Sequence, residues 1–430
     1  MNGAFYITAK ELAACGRAAI PSELRSSEHL IYSSPATLAF NSPGARGFGV
    51  KRAGLAIPDS VMLLVSPGCC GRNTSLFRTN PEYRDRFFFL LLDDTDIVTG
   101  RHLTKIPEAV DEVCRSLKKK PSAVMICITC VDALLGTDME RVCRKSAEYA
   151  AVPVVPCYMY ALTREKRLPP MAAVRKSVYS LLEKQKRAPR DMNIMGFFSP
   201  LFDDCELYPL LEEVGIKNIR ELGKCRNIEE YHELSKANFN LVLNPEARYA
   251  AQDMQERLGI PFIELLRLYQ PDKILNQYKL LGTAIGTDIN AEKYYDETKR
   301  HIADFHRKFG SLSFAVGEIS NADPFEVSLM LVREGFKVAE IFGTVGEMNF
   351  VFIKKLAELS PDTKIYSNLS PTMLGYTEEK VDCYIGCDCG HYHPDTCGVD
   401  WSSETQPFGF AGVNRLFTEL ENVLGRAENE

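Results

Sequence analysis

Short runs of almost purely apolar residues, each followed by a segment with helical spacing, recur along this chain. Residues 123–128 form one such run, and residues 61–65 form another. A strand that lies half in water alternates apolar and polar residues, so an unbroken apolar run indicates a strand buried on both faces of a parallel sheet. Because parallel strands are joined by crossover helices, the sequence predicts an α/β fold.

The alternation of strands and helices falls into three series, and a chain of 430 residues is too long for a single core. The predicted architecture is three consecutive doubly wound parallel-sheet (Rossmann-like) domains with a cleft between them. The predicted domains are 1–190, which carries an N-terminal extension, 191–308 and 309–430. One long helical stretch, 272–308, is expected to lead into the third domain. Thr137 and Glu140 have the spacing of a capping box that starts a helix.

Cysteines follow two of the predicted strands at their carboxyl ends. Cys130 comes two residues after the run 123–128, and Cys69 and Cys70 lie between two glycines after the run that starts at Val61. Ligands of open α/β sheets bind at these strand ends. A single cysteine in an apolar run is usually part of the core. The repetition of the pattern favours metal ligation by these thiols.

Charge and composition exclude several classes of protein. The formal charge is −6 and no basic stripe with aromatic residues occurs, so a nucleic-acid partner is not indicated. No apolar run reaches the length of a membrane span and no signal peptide is evident, which predicts a cytoplasmic protein. In that reducing compartment, clustered thiols favour metal or redox chemistry over structural disulfides. No phosphate-binding or dinucleotide-binding glycine loop follows a strand.

The densest group of cysteine and histidine residues lies late in the chain, after an apolar run at 381–385. Its candidate metal ligands are Cys387, Cys389 and Cys397, which are interspersed with His391 and His393. Thiolate and imidazole together suit iron, an iron-sulfur cluster or zinc. The spacing matches no structural zinc module, so a second metal or cluster and an ordinary polar loop both remain open here.

A different reading takes Cys127 and Cys130 as a dithiol redox pair. Cys127 lies inside the predicted strand, and three residues of extended chain direct two side chains to opposite faces. The pair would meet only if a turn began at Thr129.

Several motifs, in this order along the chain, resemble component 1 of the nitrogenases and their relatives. Ser-Pro-Gly-Cys-Cys-Gly at 66–71 is similar to the family's Gly-Pro-x-Gly-Cys-x segment, and Thr-Asp-Ile-Val-Thr-Gly at 95–100 is similar to its Glu-x-Asp-x-Val-Phe-Gly-Gly turn. The stretch 129–138 resembles its Thr-Cys-x-x-x-x-Ile-Gly-Asp-Asp motif. Leu-Gly-Ile-Pro-Phe at 258–262 and Gly-Phe-Ala-Gly at 409–412 also have counterparts.

The resemblance implies an iron-sulfur cluster at a subunit interface. Cys70 and Cys130 fall on the family's cluster ligands, and Cys69 is an adjacent candidate. Gly44 and Ala45 stand where a further family ligand is expected. Two or three thiolates per chain suit a four-iron cluster shared across a dimer, although a larger cluster is possible.

The positions of the family's active-site cofactor also differ. Leu243-Asn244-Pro245 stands in place of the cofactor cysteine, and 398–401 in place of the cofactor histidine. Reduction of dinitrogen is therefore not expected.

The resemblance leaves two functional hypotheses. In the first, the chain is a subunit of a nitrogenase-like reductase that receives electrons from an ATP-hydrolysing iron protein and pairs with a second component 1 subunit, as a homodimer or a paralogous heterodimer. Multi-electron reduction needs local protons, and the candidate donors are Glu318, Asp388, His391 and His393. In the second hypothesis the chain is a scaffold that assembles a metallocluster and transfers it to another protein.

Overall fold

The structure is a computed structural model that describes residues 3–25, 49–68, 83–129, 131, 135–158, 168 and 170–427. The chain forms two compact units. One unit takes residues from Met1–Ala45, Leu201–Val214 and Arg267–Glu430, and the other from Arg46–Pro200 and Gly215–Leu266. Because one compact unit can hold more than one sheet, the division into three domains at residues 190 and 308 stays a prediction.

The strands of the described residues are, in chain order, β1 (Ile7–Thr8), β2 (Val61–Ser66), β3 (Phe87–Leu91), β4 (Val124–Ile128), β5 (Val154–Tyr158), β6 (Asp191–Met195), β7 (Asn218–Glu221), β8 (Phe239–Val242), β9 (Phe262–Glu264), β10 (Ser313–Gly317), β11 (Lys337–Phe342), β12 (Lys364–Tyr366), β13 (Cys383–Ile385) and β14 (Gly398–Val399).

The α-helices are α1 (Ala9–Cys15), α2 (Gly49–Gly54), α3 (Asp94–Val98), α4 (His102–Ser116), α5 (Met139–Ala150), α6 (Pro170–Tyr179), α7 (Leu207–Glu213), α8 (Ile228–Glu233), α9 (Arg248–Leu258), α10 (Pro271–Ile285), α11 (Glu292–Phe309), α12 (Pro324–Arg333), α13 (Phe350–Leu359), α14 (Cys387–Tyr392) and α15 (Gly409–Ala427). None of the helices in the described ranges is both long and apolar enough to cross a membrane.

Two parallel sheets belong to the second unit. Sheet 1 has the strand order β3-β2-β4-β5, and sheet 2 has the order β7-β6-β8-β9. Every residue of β2 and of β4 is buried. Alternate residues of these two strands join different cores, because successive side chains of a strand point to opposite faces. The prediction of strands buried on both faces is therefore confirmed.

Sheet 3 belongs to the first unit and has the order β1-β12-β11-β10-β13-β14. Strands β10 to β14 are parallel, and β1 adds an antiparallel edge. The three sheets and their helices confirm the predicted α/β fold class. Apart from β1, the strands of each sheet follow one another along the chain, as the apolar runs indicate.

Three local predictions were wrong or incomplete. The helical stretch 272–308 is two helices, because Gly286 adopts φ +79° and ends α10. Asp138, not Thr137, caps α5 by accepting a hydrogen bond from the backbone of Arg141 at 3.0 Å. The sequence analysis also missed β7 and the long C-terminal helix α15.

Candidate functional site

Each sheet has one point where the order of its parallel strands reverses. This switch point lies between β2 and β4 in sheet 1, between β6 and β8 in sheet 2, and between β10 and β13 in sheet 3. The loops at the carboxyl ends of these two strands diverge, and the crevice between them is where open α/β sheets bind their ligands. The three switch points are therefore the candidate positions for a binding site.

The switch point of sheet 3 is filled by the carboxylate of Asp388. Its Oδ2 accepts hydrogen bonds from the backbone N–H of Glu318 at 3.0 Å and from Asn368 Nδ2 at 2.7 Å, and its Oδ1 accepts from Ile319 N–H at 3.2 Å. Gly317 ends β10, and a Cβ atom at this position would overlap the Asp388 carboxylate. An internal carboxylate thus takes the position that a bound anion would occupy.

Glu318 and Asp388, two of the predicted proton donors, are brought together by one amide. Asn368 Nδ2 donates to Glu318 Oε1 at 3.0 Å as well as to Asp388, while Glu318 Oε2 accepts from the backbone N–H of Thr344 at 2.8 Å. Burial, and then the nearby Glu318, raise the pKa of Asp388 to about 7. Burial also raises the pKa of Glu318. The pair is suited to holding a proton near neutral pH.

This pair makes stability depend on pH. The pKa of Asp388 is about 7 in the folded protein, whereas an unfolded aspartate has a pKa of about 3.9. Between these values the folded protein keeps a proton that the unfolded chain releases, so the free energy of unfolding falls as pH rises from about 4 to about 7. The decrease is on the order of a few kcal/mol. We expect a flatter profile for Asp388→Asn, which cannot ionise, in denaturant titrations at several pH values. An unchanged slope in this variant would contradict the assignment.

His393 lies in a separate buried network. Its Nε2 is 3.1 Å from Glu340 Oε2 and 3.2 Å from Tyr376 Oη, and its Nδ1 is 3.4 Å from Glu378 Oε1. Tyr376 Oη also donates to Glu340 Oε2 at 2.8 Å. These contacts fasten the segment around Tyr376 to β11. The side chain of His393 therefore stabilises the position of this segment. It belongs to a different network from Glu318 and Asp388.

The late cysteines are divided between the two faces of sheet 3. Cys389 is buried with Ala315 and Phe342 in one core cluster, whereas Cys383 is the register partner of Phe314, which neighbours Ala315 and so faces the other way.

The predicted ligands Cys387, Cys389 and Cys397 are not assembled into a metal site in the described part of the chain. No three histidine, cysteine, aspartate or glutamate side chains there are grouped so that they could hold a metal ion. Cys387 Sγ instead donates to the backbone oxygen of Asp400 at 3.8 Å. His391 lies on α14 and is exposed to solvent.

The switch point of sheet 2 is also occupied by the chain itself. Arg175, a buried residue of α6, donates from Nε to the Gly196 carbonyl at 2.9 Å and lies 2.8 Å from Glu246 Oε2 through Nη1. Burial lowers the pKa of Arg175, and Glu246 opposes this shift. Asn244 Oδ1 accepts from the Glu246 backbone at 3.0 Å. The loop that carries Asn244 is thus closed by an ion pair.

Gly196 allows the two loops of sheet 2 to approach closely. It has φ +133°, and a Cβ atom would lie 2.7 Å from the Asn244 nitrogen. We expect Gly196→Ala to lower the free energy of unfolding by about 3 kcal/mol, because it combines an unfavourable φ with a backbone clash. Gly215→Ala is the control, since Gly215 has φ +90° but open space around it. Equal losses in the two variants, measured by urea unfolding, would show that the close approach is unimportant.

The switch point of sheet 1 is flanked by the cysteine-bearing segments. Strands β2 and β4 are neighbours, with Val65 opposite Ile128. The chain leads from the end of β2 into Cys69 and Cys70 and from the end of β4 into Cys130, and all three cysteines lie outside the described residues. The strand order therefore brings the starting points of both segments together.

Two buried hydroxyl groups lie at the carboxyl ends of β2 and β4. Ser66 and Thr129 follow Val65 and Ile128 by one residue, and their side chains are almost fully buried. Neither Ser66 Oγ nor Thr129 Oγ1 has a hydrogen-bond partner among the described residues. A buried hydroxyl without a hydrogen-bond partner is unfavourable. The carboxyl ends of these two strands therefore suit a group that accepts hydrogen bonds. Sequence analysis missed both residues, as well as Arg175 and Asn368, because their roles depend on contacts between distant segments.

Comparison with known proteins agrees with this architecture. The family model described as nitrogenase component 1 type oxidoreductase matches residues 46–387. The chain is 27% identical over 216 residues to the nitrogenase iron-molybdenum cofactor biosynthesis protein NifE of Nostoc sp., covering 48% of this chain and 44% of that protein. It is 28% identical over 285 residues to NifE of Sinorhizobium fredii, covering 63% of this chain and 56% of that protein.

Two further comparisons extend the likeness. The nitrogenase molybdenum-iron protein alpha chain of Methanosarcina barkeri is 28% identical over 181 residues, which are 40% of this chain and 33% of that chain. The solved structure "Nitrogenase Cp1 at pH 6.5" superimposes with a TM-score of 0.68 at 16% identity, over 96% of this chain and 97% of that chain, which shows a shared fold. The alignments span about half the length of the two NifE relatives. Since the family model covers most of the sequence, this protein belongs to the nitrogenase component 1 type oxidoreductase family.

Proposed function

We propose that this chain is the electron-accepting subunit of a nitrogenase-like reductase, with an iron-sulfur cluster at the switch point of sheet 1. One observation carries the proposal. The switch points of sheets 2 and 3 are filled by Arg175 with Glu246 and by Asp388, while the segments that follow β2 and β4 both contain cysteines. This contrast supports thiol ligation at the switch point of sheet 1.

Cys70 and Cys130 would hold the cluster, with Cys69 as an adjacent candidate. When bound, the cluster supplies one-electron transfer. The hydroxyls of Ser66 and Thr129 would donate hydrogen bonds toward it, which is one of the ways in which a protein sets the reduction potential of such a cluster. The buried strands β2 and β4 keep water away from the protein side of the site. Two or three thiolates from one chain leave ligands to be supplied by a second component 1 subunit.

Protons for the reduction are assigned to the Glu318 and Asp388 pair. Glu318 is the more accessible member, since Asp388 is fully buried and Glu318 only partly so. Its raised pKa favours the protonated form that a donor needs. His391 is exposed and is a further candidate proton donor. His393 is buried and bonded to Glu340 and Tyr376, so it has less support as a donor. The substrate is a small molecule and, given Leu243-Asn244-Pro245 where the resemblance implies a cofactor cysteine, not dinitrogen.

The second candidate is a scaffold for metallocluster assembly. Its support is the similarity to NifE, whose printed name is that of an iron-molybdenum cofactor biosynthesis protein. A scaffold must present accessible ligands in order to release its cargo. Cys389 and His393 are fully buried and Cys387 is nearly so, which leaves partly exposed Cys397 and exposed His391 as the accessible members of the late Cys/His group. The reductase is therefore the favoured proposal.

The test begins with anaerobic purification and measurement of iron and acid-labile sulfide. The reductase proposal predicts bound iron whose electron paramagnetic resonance signal changes when a reduced ATP-hydrolysing iron protein and ATP are both added, and not when either is omitted. Iron that is unaffected by this donor but moves to an apo-protein supports the scaffold. A chain that binds no iron under these conditions overturns both proposals.

A further inference from the structure

Cys383 and Cys397 stand opposite each other at the start of two neighbouring strands. In the parallel pair β13 and β14, Tyr384 is aligned with Gly398 and Ile385 with Val399. The Tyr384 N–H donates to the Cys397 carbonyl at 3.0 Å. The same register continued by one residue aligns Cys383 with Cys397. Neighbouring strands are about 4.8 Å apart and aligned side chains share a face, so the two Cα atoms are within the range of about 4.4 to 6.8 Å found in disulfides.

The two thiols differ in access to solvent. Cys383 is fully buried, whereas Cys397 is partly exposed, and both are free thiols. An external oxidant therefore meets Cys397 first. Cys383 is positioned to react second, from inside the protein.

The strands around the pair allow the small movement that a covalent bond requires. Strand β14 has only two residues and forms the edge of sheet 3. Cys397 precedes its first ladder residue, so it can shift without breaking an interior part of the sheet. A disulfide formed with some strain is more easily reduced than a relaxed one, which favours a reversible bond.

We propose that Cys383 and Cys397 form a reversible disulfide in response to a low-molecular-weight disulfide oxidant. The Cys397 thiolate attacks one sulfur of the oxidant, which forms a mixed disulfide and releases one thiol. The Cys383 sulfur then displaces the second oxidant sulfur from Cys397, and the Cys383 proton passes to the departing thiolate. In total, two cysteine thiols are oxidised to one disulfide and the oxidant disulfide is reduced to two thiols. This inference does not depend on the proposed cluster.

The bond would close a loop that includes α14 and Asp388. Asp388 accepts hydrogen bonds from Glu318 and Ile319 at the end of β10. Oxidation would thereby tie the segment that fills the switch point of sheet 3 to the edge of that sheet. The segment that carries Asp388 would therefore be less free to move in the oxidised protein than in the reduced protein.

The chain contains a matched internal control. Cys127 and Cys157 are aligned in the same way on the parallel strands β4 and β5, but both are fully buried. Their register equals that of the proposed pair, but both thiols are closed off from solvent and Cys157 lies within the five-residue strand β5. If exposure of one thiol is what allows oxidation, then Cys127 and Cys157 stay reduced.

The test uses the full-length protein, reduced and then incubated with oxidised glutathione in the folded state. Peptide mapping by mass spectrometry is expected to find a Cys383–Cys397 link that dithiothreitol removes, with Cys127 and Cys157 still reduced. In Cys383→Ser, Cys397 should instead retain glutathione, because the resolving thiol is absent. Cys397→Ser should show neither product.

Two outcomes would overturn the proposal. In the first, Cys397 of the unaltered protein retains glutathione as the Cys383→Ser variant does, so that Cys383 does not resolve it. In the second, Cys127 and Cys157 become linked to the same extent, which would mean that oxidation follows unfolding. Circular dichroism of each variant before oxidation verifies that it is folded, and the unaltered protein alone suffices for both decisions.

Discussion

Replacing Cys130 by alanine is expected to lower the iron content of anaerobically purified protein by about tenfold or more. Loss of a partner that merely orients a metal ligand commonly costs 10- to 100-fold in affinity, and loss of a thiolate ligand itself should cost at least as much. Cys70→Ala should have the same effect, because the two segments start from the neighbouring strands β2 and β4. Cys69→Ala should retain more iron than either. Iron and acid-labile sulfide per chain are the measurements.

A matched control separates ligation from the loss of any thiol. Cys15 is an exposed cysteine at the end of α1, so Cys15→Ala should keep the full iron content. Full iron content in both Cys70→Ala and Cys130→Ala would contradict the placement of a cluster at sheet 1. Circular dichroism of each variant distinguishes loss of iron from loss of the fold.

The second large effect is expected at the start of helix α15. Buried Glu206 accepts hydrogen bonds from the backbone N–H groups of Phe410 at 2.7 Å and Ala411 at 2.9 Å, and from Tyr278 Oη at 2.6 Å. Glu206→Ala leaves these three donors without their carboxylate partner. Each such loss costs about 1–3 kcal/mol, and partial rehydration reduces the sum. We therefore expect a decrease of about 3–5 kcal/mol in the free energy of unfolding, measured by urea titration.

Gly409→Ala tests the same contact from the other side. Gly409 has φ +62°, and a Cβ atom there would overlap the Glu206 carboxylate, so a comparable destabilisation is expected. Gly425 lies in the same helix with open space around it. Gly425→Ala should be neutral or should stabilise the protein by up to about 1 kcal/mol through helix propensity. A mild effect of Gly409→Ala, similar to that of Gly425→Ala, would disprove the close approach.

Much of the fold could be predicted because it depends on local patterns. The fully buried strands β2 and β4 appear in the sequence as unbroken apolar runs, since both faces of a central parallel strand meet helices. Boundaries set by a single backbone angle were less predictable. The break at Gly286 and the choice of Asp138 over Thr137 as a cap each depend on a conformation that several neighbouring sequences would allow.

The candidate site could be predicted only in part. Cysteines at strand ends indicate a thiol site at the edge of a sheet, although Cys69, Cys70 and Cys130 lie outside the described residues. The late Cys/His group is denser in the sequence than the cysteines at the strand ends. In the structure Cys389 lies on helix α14, which packs against the face of sheet 3 that carries Ala315, whereas Cys383 lies on β13 beside Phe314 and points to the opposite face.

The sequence by itself determined the class of fold, the family and the position of cysteines after strand ends. Each of these depends on residue types at short spacing along the chain. Tertiary structure alone decided which switch points are occupied. Asp388 and Glu318 lie 70 positions apart, and Arg175 lies 71 positions from Glu246. Contacts at such separation follow from strand order, which places distant loops side by side and leaves no local pattern in the chain.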